Sequence, residues 1–183
     1  MAVTIDGTTG VSLVQDGVVT AADMFSGFAN GITMADQFRL TSDLTGSANP
    51  ITSNLERVDE NVFGGIGTGM SESSGIFTFP STGIYLIHFS IVVYTSSTSD
   101  YCRGYIRTTN NNSSYQAAAT AYASAAGTGT PFNSGSTQFL FDVTDTTNQK
   151  VAFRIVQANT SNEVRGLTAE NATFMTFIRL GDT

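Results

Sequence analysis

From Gln37 onward, apolar and polar residues alternate with a period of two, the spacing of strands that turn one face inward and one outward. The stretch 37–42 sets Phe38 and Leu40 between polar residues. Further strands are predicted over 51–58, 60–67, 75–80, 84–94, 101–108, 137–143, 150–157 and 172–180. Polar clusters at 96–100, 110–112, 144–148 and 159–162 supply turns between them. Short strands joined by polar turns predict an all-β antiparallel sandwich or barrel, not an α/β fold.

The strand from Ile84 to Tyr94 breaks the pattern because it is apolar on both faces. One alternating set is Tyr85, Ile87, Phe89, Ile91 and Val93; the other is Ile84, Leu86, Val92 and Tyr94, with only His88 and Ser90 polar. In a sandwich, one face meets the core and the other meets water. Each large apolar side chain left in water forfeits ~1.5–3 kcal/mol. A second cover is therefore expected, and an assembly of several copies supplies one. Which set faces the core and which faces the assembly stays open from sequence.

Two regions resist the alternation. Residues 114–127, Ser-Tyr-Gln-Ala-Ala-Ala-Thr-Ala-Tyr-Ala-Ser-Ala-Ala-Gly, have the propensity of a helix but no charge to support one. They are read as a small-residue excursion at the surface or at a subunit contact. Residues 1–35 carry two Asp-Gly turn signals, Asp6-Gly7 and Asp16-Gly17, among short β-like pieces. Val3, Ile5, Val11, Leu13, Val18 and Val19 are too few for a core. They predict an extended anchoring arm that orders against a partner, with a short helical turn near Ala21–Phe25. The domain division is thus an arm over 1–35 and a β-domain over 36–183.

Charged residues are only 13% of the 183-residue chain, about half the usual ~25%. Thr, Ser, Asn and Gly carry the polarity instead, as in many secreted and virion proteins. The formal net charge is −7, and the seven arginines are scattered singly. Nucleic acid and polybasic membrane contact are set aside on that ground. The sole cysteine, Cys102, permits no intrachain disulfide. The first 38 residues hold no Lys or Arg, so a signal peptide's basic region is not visible. Synthesis in a host cytoplasm is the expectation.

Candidate chemistry is sparse. His88 is the only histidine and lies in the most apolar strand, with nothing placing it beside Cys102 or a serine nucleophile. Asp142 with Asp145, and Asp59 with Glu60, are the best carboxylate pairs; solvated turns explain them more simply than calcium. No catalytic residue, cofactor site or metal site is assigned, and the reading is not an enzyme.

Gly75-Ile76-Phe77-Thr78, Pro80 and Gly83-Ile84-Tyr85 resemble the G-x-F-T-x-P-x-x-G-x-Y signature of the complement globular-head family. Phe174 to Leu180 resembles its last strand, and 139–143 and 151–155 fit the strands between. The resemblance implies a jelly roll of the tumour-necrosis-factor type that forms homotrimers. It places Tyr85, Ile87, Phe89, Ile91, Phe174 and Phe177 at the trimer interface or in the core. The segments 1–10 and 15–23 resemble the openings of tailed-bacteriophage structural proteins. Together these imply a trimeric capsid decoration, or cement, protein on the outer surface of a virion, bound through its arms to the major capsid protein or another virion protein. The alternative is the receptor-binding tip of a short tail fibre, with Tyr101, Tyr105, Tyr115 and Tyr122 offering rings for stacking on host sugars.

Overall fold

The computed structural model describes residues 31–60, 62–95, 100–125, 131–158 and 162–183. The chain divides into two units, Met1–Gly31 and Ile32–Thr183. The arm positions Val3, Ile5, Val11, Leu13, Val18 and Val19, and the expected turn near Ala21–Phe25, lie outside the described residues.

Every regular element among the described residues is a strand: β1 Met34–Leu40, β2 Leu44–Thr45, β3 Leu55–Arg57, β4 Ser71–Ser73, β5 Ile76–Thr78, β6 Gly83–Thr95, β7 Asp100–Thr109, β8 Gln116–Ala125, β9 Phe132–Val143, β10 Lys150–Gln157, β11 Asn162–Val164 and β12 Phe174–Gly181. One sheet runs β2-β11-β6-β12-β1-β3, with β9 on the other edge of β6; the second runs β4-β5-β10-β7-β8. All strand pairs are antiparallel. The first strand pairs with the last, and β6 takes all three partners, β9, β11 and β12, from far along the chain. This is the jelly-roll wrapping, in which most partners are distant in sequence.

The core is one cluster between the sheets. From the larger sheet come Phe38, Tyr85, Ile87, Phe89, Ile91, Met175 and Phe177; from the smaller come Phe77, Ile106, Val151, Phe153 and Ile155. Its centre is aromatic: Phe77 and Phe153 meet edge to face at 5.4 Å, and Phe89 meets Phe153 at 4.9 Å. Such pairs add ~0.5–1.5 kcal/mol beyond burial. The Tyr85 ring is fully buried, and its hydroxyl donates to the Ser81 carbonyl at 2.9 Å, which removes the cost of an unpaired polar atom.

The first glycine of the signature has a steric reason. Gly75 sits at φ +80°, and a Cβ there would lie 2.1 Å from the Ile51 carbonyl oxygen. Only a hydrogen fits between β4 and β5 at this turn.

Several sequence expectations change. The described residues of 60–67 form no strand; Ile66 makes a single bridge to Ala35, and positive φ angles at Val62 and Gly67 interrupt extension. The segment 51–58 shrinks to β3. The alanine-rich segment is a ten-residue strand, β8, not an excursion. Its pairing with β7 overrides helix propensity, and Ala121 and Ala123 alternate into the core. The turn cluster near 159–162 also yields the short strand β11 at its end.

Candidate assembly face

β6 settles the question its sequence poses. Tyr85, Ile87, Phe89 and Ile91 point inward and are fully buried, as is Phe177 on β12. All five are core residues. Phe174 alone of the named set lies on the opposite, outward face, where it is half-buried. The even-numbered residues of β6, from Ile84 to Tyr94, share that outward face and are half-buried as well.

Register arranges this face in rows across the sheet. One row reads Leu140 on β9, Leu86 on β6, Ile178 on β12, Ala35 on β1 and Ile66 beyond it. It is apolar from end to end, with Leu140 58% and Ile66 45% exposed. The next row is Gln138, His88, Thr176 and Gln37, polar but uncharged. Gln37 donates to the Thr176 hydroxyl at 2.8 Å and accepts from Asn171 at 2.6 Å. At the far end, the Phe132 and Tyr94 rings meet tilted with centres 5.2 Å apart, and Phe132 is 60% exposed. The second face of β6 is therefore partly covered within its own chain by its strand neighbours. What remains open is a band on β9 and beyond β1.

His88 stands in the polar row, its ring 5.6 Å from Phe174. Burial pushes its pKa below the ordinary histidine value. Cys102 faces the core from β7, and burial pushes its thiol up to about 12. The two face opposite sides of the larger sheet, so they form no nucleophile-base pair.

The flagged carboxylates go to structural roles. Asp59 accepts from Arg39 at 2.8 Å, and Glu56 from the same guanidinium at 2.6 Å. Arg39 is buried, and two acids compensate its charge. Asp145 accepts from the Thr147 and Asn148 amides and the Asn148 side chain, closing the β9–β10 turn. These bonds hold its pKa low. Asp142 stands exposed at the rim, opposite Ile84.

A further cluster lies at the β2–β11 end. The Tyr94 hydroxyl lies within hydrogen-bond reach of Asp43, at 2.7 Å, and of Glu163. Arg165 pairs with Asp43 at 3.1 Å. Burial raises the Asp43 pKa, but the Gly166 amide, Tyr94 and Arg165 together bring it below the ordinary carboxylate value. The Glu163 bond, burial and Asp43 push the Tyr94 phenol well up.

No family model matches the chain, and no curated protein does. Solved structures do. The tumour necrosis factor Eiger of S. frugiperda superposes with a TM-score of 0.60 at 13% identity, covering 84% of this chain and 96% of that one. Murine APRIL at pH 5.0 superposes with a TM-score of 0.54 at 15% identity, covering 80% and 98%. The fold is a tumour-necrosis-factor-like jelly roll. This TNF-like jelly roll keeps the signature glycines and the final strand where the sequence puts them. Sequence reading missed Leu140, Ile178, Ala35 and Ile66 as parts of one band. The signal for Leu140 was present: Phe139-Leu140-Phe141 is apolar at three successive positions, so one must face outward.

Proposed function

We propose that this chain is a non-catalytic, self-associating module that assembles as a homotrimer through the outward face of β9-β6-β12-β1 and decorates the outer surface of a phage capsid, with the segment before β1 gripping the major capsid protein or another virion protein. The observation that carries self-association is the apolar row from Leu140 to Ile66, bordered on one side by the uncharged row Gln138, His88, Thr176 and Gln37. A charged row would resist close packing of copies, whereas this one gains from it. The resemblance to trimeric globular heads supports the stoichiometry. The Asp-Gly-punctuated arm supports anchoring, since a segment that orders on contact covers much surface and three copies add avidity.

Light scattering on the full chain is expected to give three times the chain mass; a monomer at micromolar concentration overturns the assembly. Deletion of residues 1–30, which spares Met34 in the core and Ala35 in the apolar row, is expected to leave that mass multiple intact while abolishing binding to virions. Labelling over the whole shell supports decoration, and labelling at the tail alone overturns it.

A further inference from the structure

The outward face of the smaller sheet has a different chemistry from the assembly face. On β7 the residues between the buried Cys102, Gly104 and Ile106 point away from the core: Tyr101, Arg103, Tyr105 and Arg107. Register sets Tyr122 of β8 opposite Arg103, and Arg154 of β10 opposite Tyr105. Rings and guanidinium groups therefore alternate in both directions, over roughly 13 Å by 10 Å. The Arg103 guanidinium lies 4.7 Å from the Tyr101 ring centre and 6.0 Å from that of Tyr105; Arg154 lies 5.4 Å from Tyr105. The platform is held from below: a Cβ on Gly104 would come 2.9 Å from the Phe89 ring, so β7 lies close against β6.

Charge pairing singles this face out. Arg39, Arg57, Arg165 and Arg179 each pair with a carboxylate. Among the described residues, Arg103, Arg107 and Arg154 do not, although the chain has 15 acids and only 8 bases. Arg107 instead donates to Asn49 at 2.5 Å and to the Tyr115 carbonyl. Arg103 and Arg154 lie against rings, Arg103 also donating to the Tyr101 hydroxyl at 3.1 Å, and the Nε of each is shielded and lacks a hydrogen-bond partner. Tyr122 is 67% exposed and Tyr101 44%. Thr120 and Ser124 flank Tyr122 on its own strand, too small to cover its ring.

We infer that this face binds a carboxylate-bearing saccharide, independently of how the chain assembles. Tyrosine rings match the C–H faces of pyranose sugars, while Arg103 and Arg154 supply carboxylate recognition without an acid of their own to displace. Thr120 and Ser124 offer hydroxyls at the margin. An open sheet face suits a polymer chain, which needs no enclosed pocket. Single-stranded nucleic acid also stacks on such surfaces, but it carries a charge at every nucleotide and would meet a protein of net charge −7 with only two guanidinium groups, those of Arg103 and Arg154, lying against the rings of this platform without an acid partner.

The test titrates the full chain by NMR or calorimetry with oligogalacturonate and with sialyllactose, using a neutral oligoglucose and oligothymidylate as comparators. Binding of either acidic sugar, with the neutral sugar about ten-fold weaker or more, is the expected result. Oligogalacturonate alone assigns a uronic-acid polymer; sialyllactose alone assigns a sialylated glycan. Tyr122→Ala and Arg103→Gln are each expected to weaken binding about ten-fold with the melting temperature retained. Should Arg103→Gln lower the melting temperature, the exposed Tyr122→Ala decides. Failure of both acidic sugars at millimolar concentration, equal binding of the neutral sugar, tighter binding of oligothymidylate, or indifference to Tyr122→Ala overturns the assignment.

Discussion

The two outward faces of the sandwich share one core and differ in almost everything else. Across β9-β6-β12-β1 the middle rows are apolar or neutral, and the chain's single histidine, His88, stands among them. Across β10-β7-β8, tyrosines alternate with arginines that lack acidic partners. A neutral face is cheap to strip of water and suits contact with a copy of itself. A face of rings and cations keeps its affinity for an anion and resists stacking on its own image, where like charges would meet. A jelly roll can thus devote one layer to assembly and leave the other free.

The largest effect expected lies beneath both faces. Phe89→Asp places an unpaired charge in the core, at a cost of several kcal/mol against a typical net stability of ~5–15 kcal/mol. Loss of the cooperative unfolding transition by circular dichroism is expected; a folded variant would remove Phe89 from the core. Gly75→Ala forces a Cβ toward the Ile51 carbonyl at positive φ. It should cost about 1–3 kcal/mol, read as a lower denaturation midpoint.

The next two variants set the faces against each other. Leu86→Glu puts a charge in the middle of the apolar row and is expected to reduce the solution mass to that of a monomer. Thr120→Glu puts the same charge on the other sheet and is expected to leave the mass unchanged. Equal effects on mass would erase the distinction between the faces.

The smallest effect is the dependence on pH. The folded-state pKa of His88 lies below its ordinary value, so folding favours neutral imidazole. That contribution is complete above an unfolded pKa of about 6.5 and is lost as pH falls through the lower folded value. The difference in melting temperature between His88→Gln and the parent should therefore change between about pH 7 and pH 5. A constant difference would show that His88 is already solvated.

The alternating strands were readable because one buried face imposes a period of two, and Phe38 with Leu40 or Val151 with Phe153 and Ile155 display it. The Gly75–Tyr85 signature was readable because each glycine answers a backbone requirement. β8 was not, since alanine carries no facial signal and its strand state is imposed by pairing with β7. The assembly face was half legible. Leu86 and Ile84 were visible as surplus apolar residues, but the row joining Leu140 to Ile66 exists only through register. The arginine–tyrosine face was invisible as a unit, because Tyr122 meets Arg103 only through the register of β8, a segment with helix propensity, and Arg154 reaches Tyr105 from β10, well downstream.

The position of β6 has a consequence in time. Its edges are closed by β9 and β12, which lie well downstream in the chain. At a synthesis rate of ~5–20 residues per second, its most apolar segment waits seconds for those partners. Closure of such distant pairs is also intrinsically slow. The nascent chain therefore carries β6 with both edges bare until β9 emerges and with one edge largely bare until β12 does, and truncation before Phe174 is expected to yield aggregates instead of a smaller soluble domain.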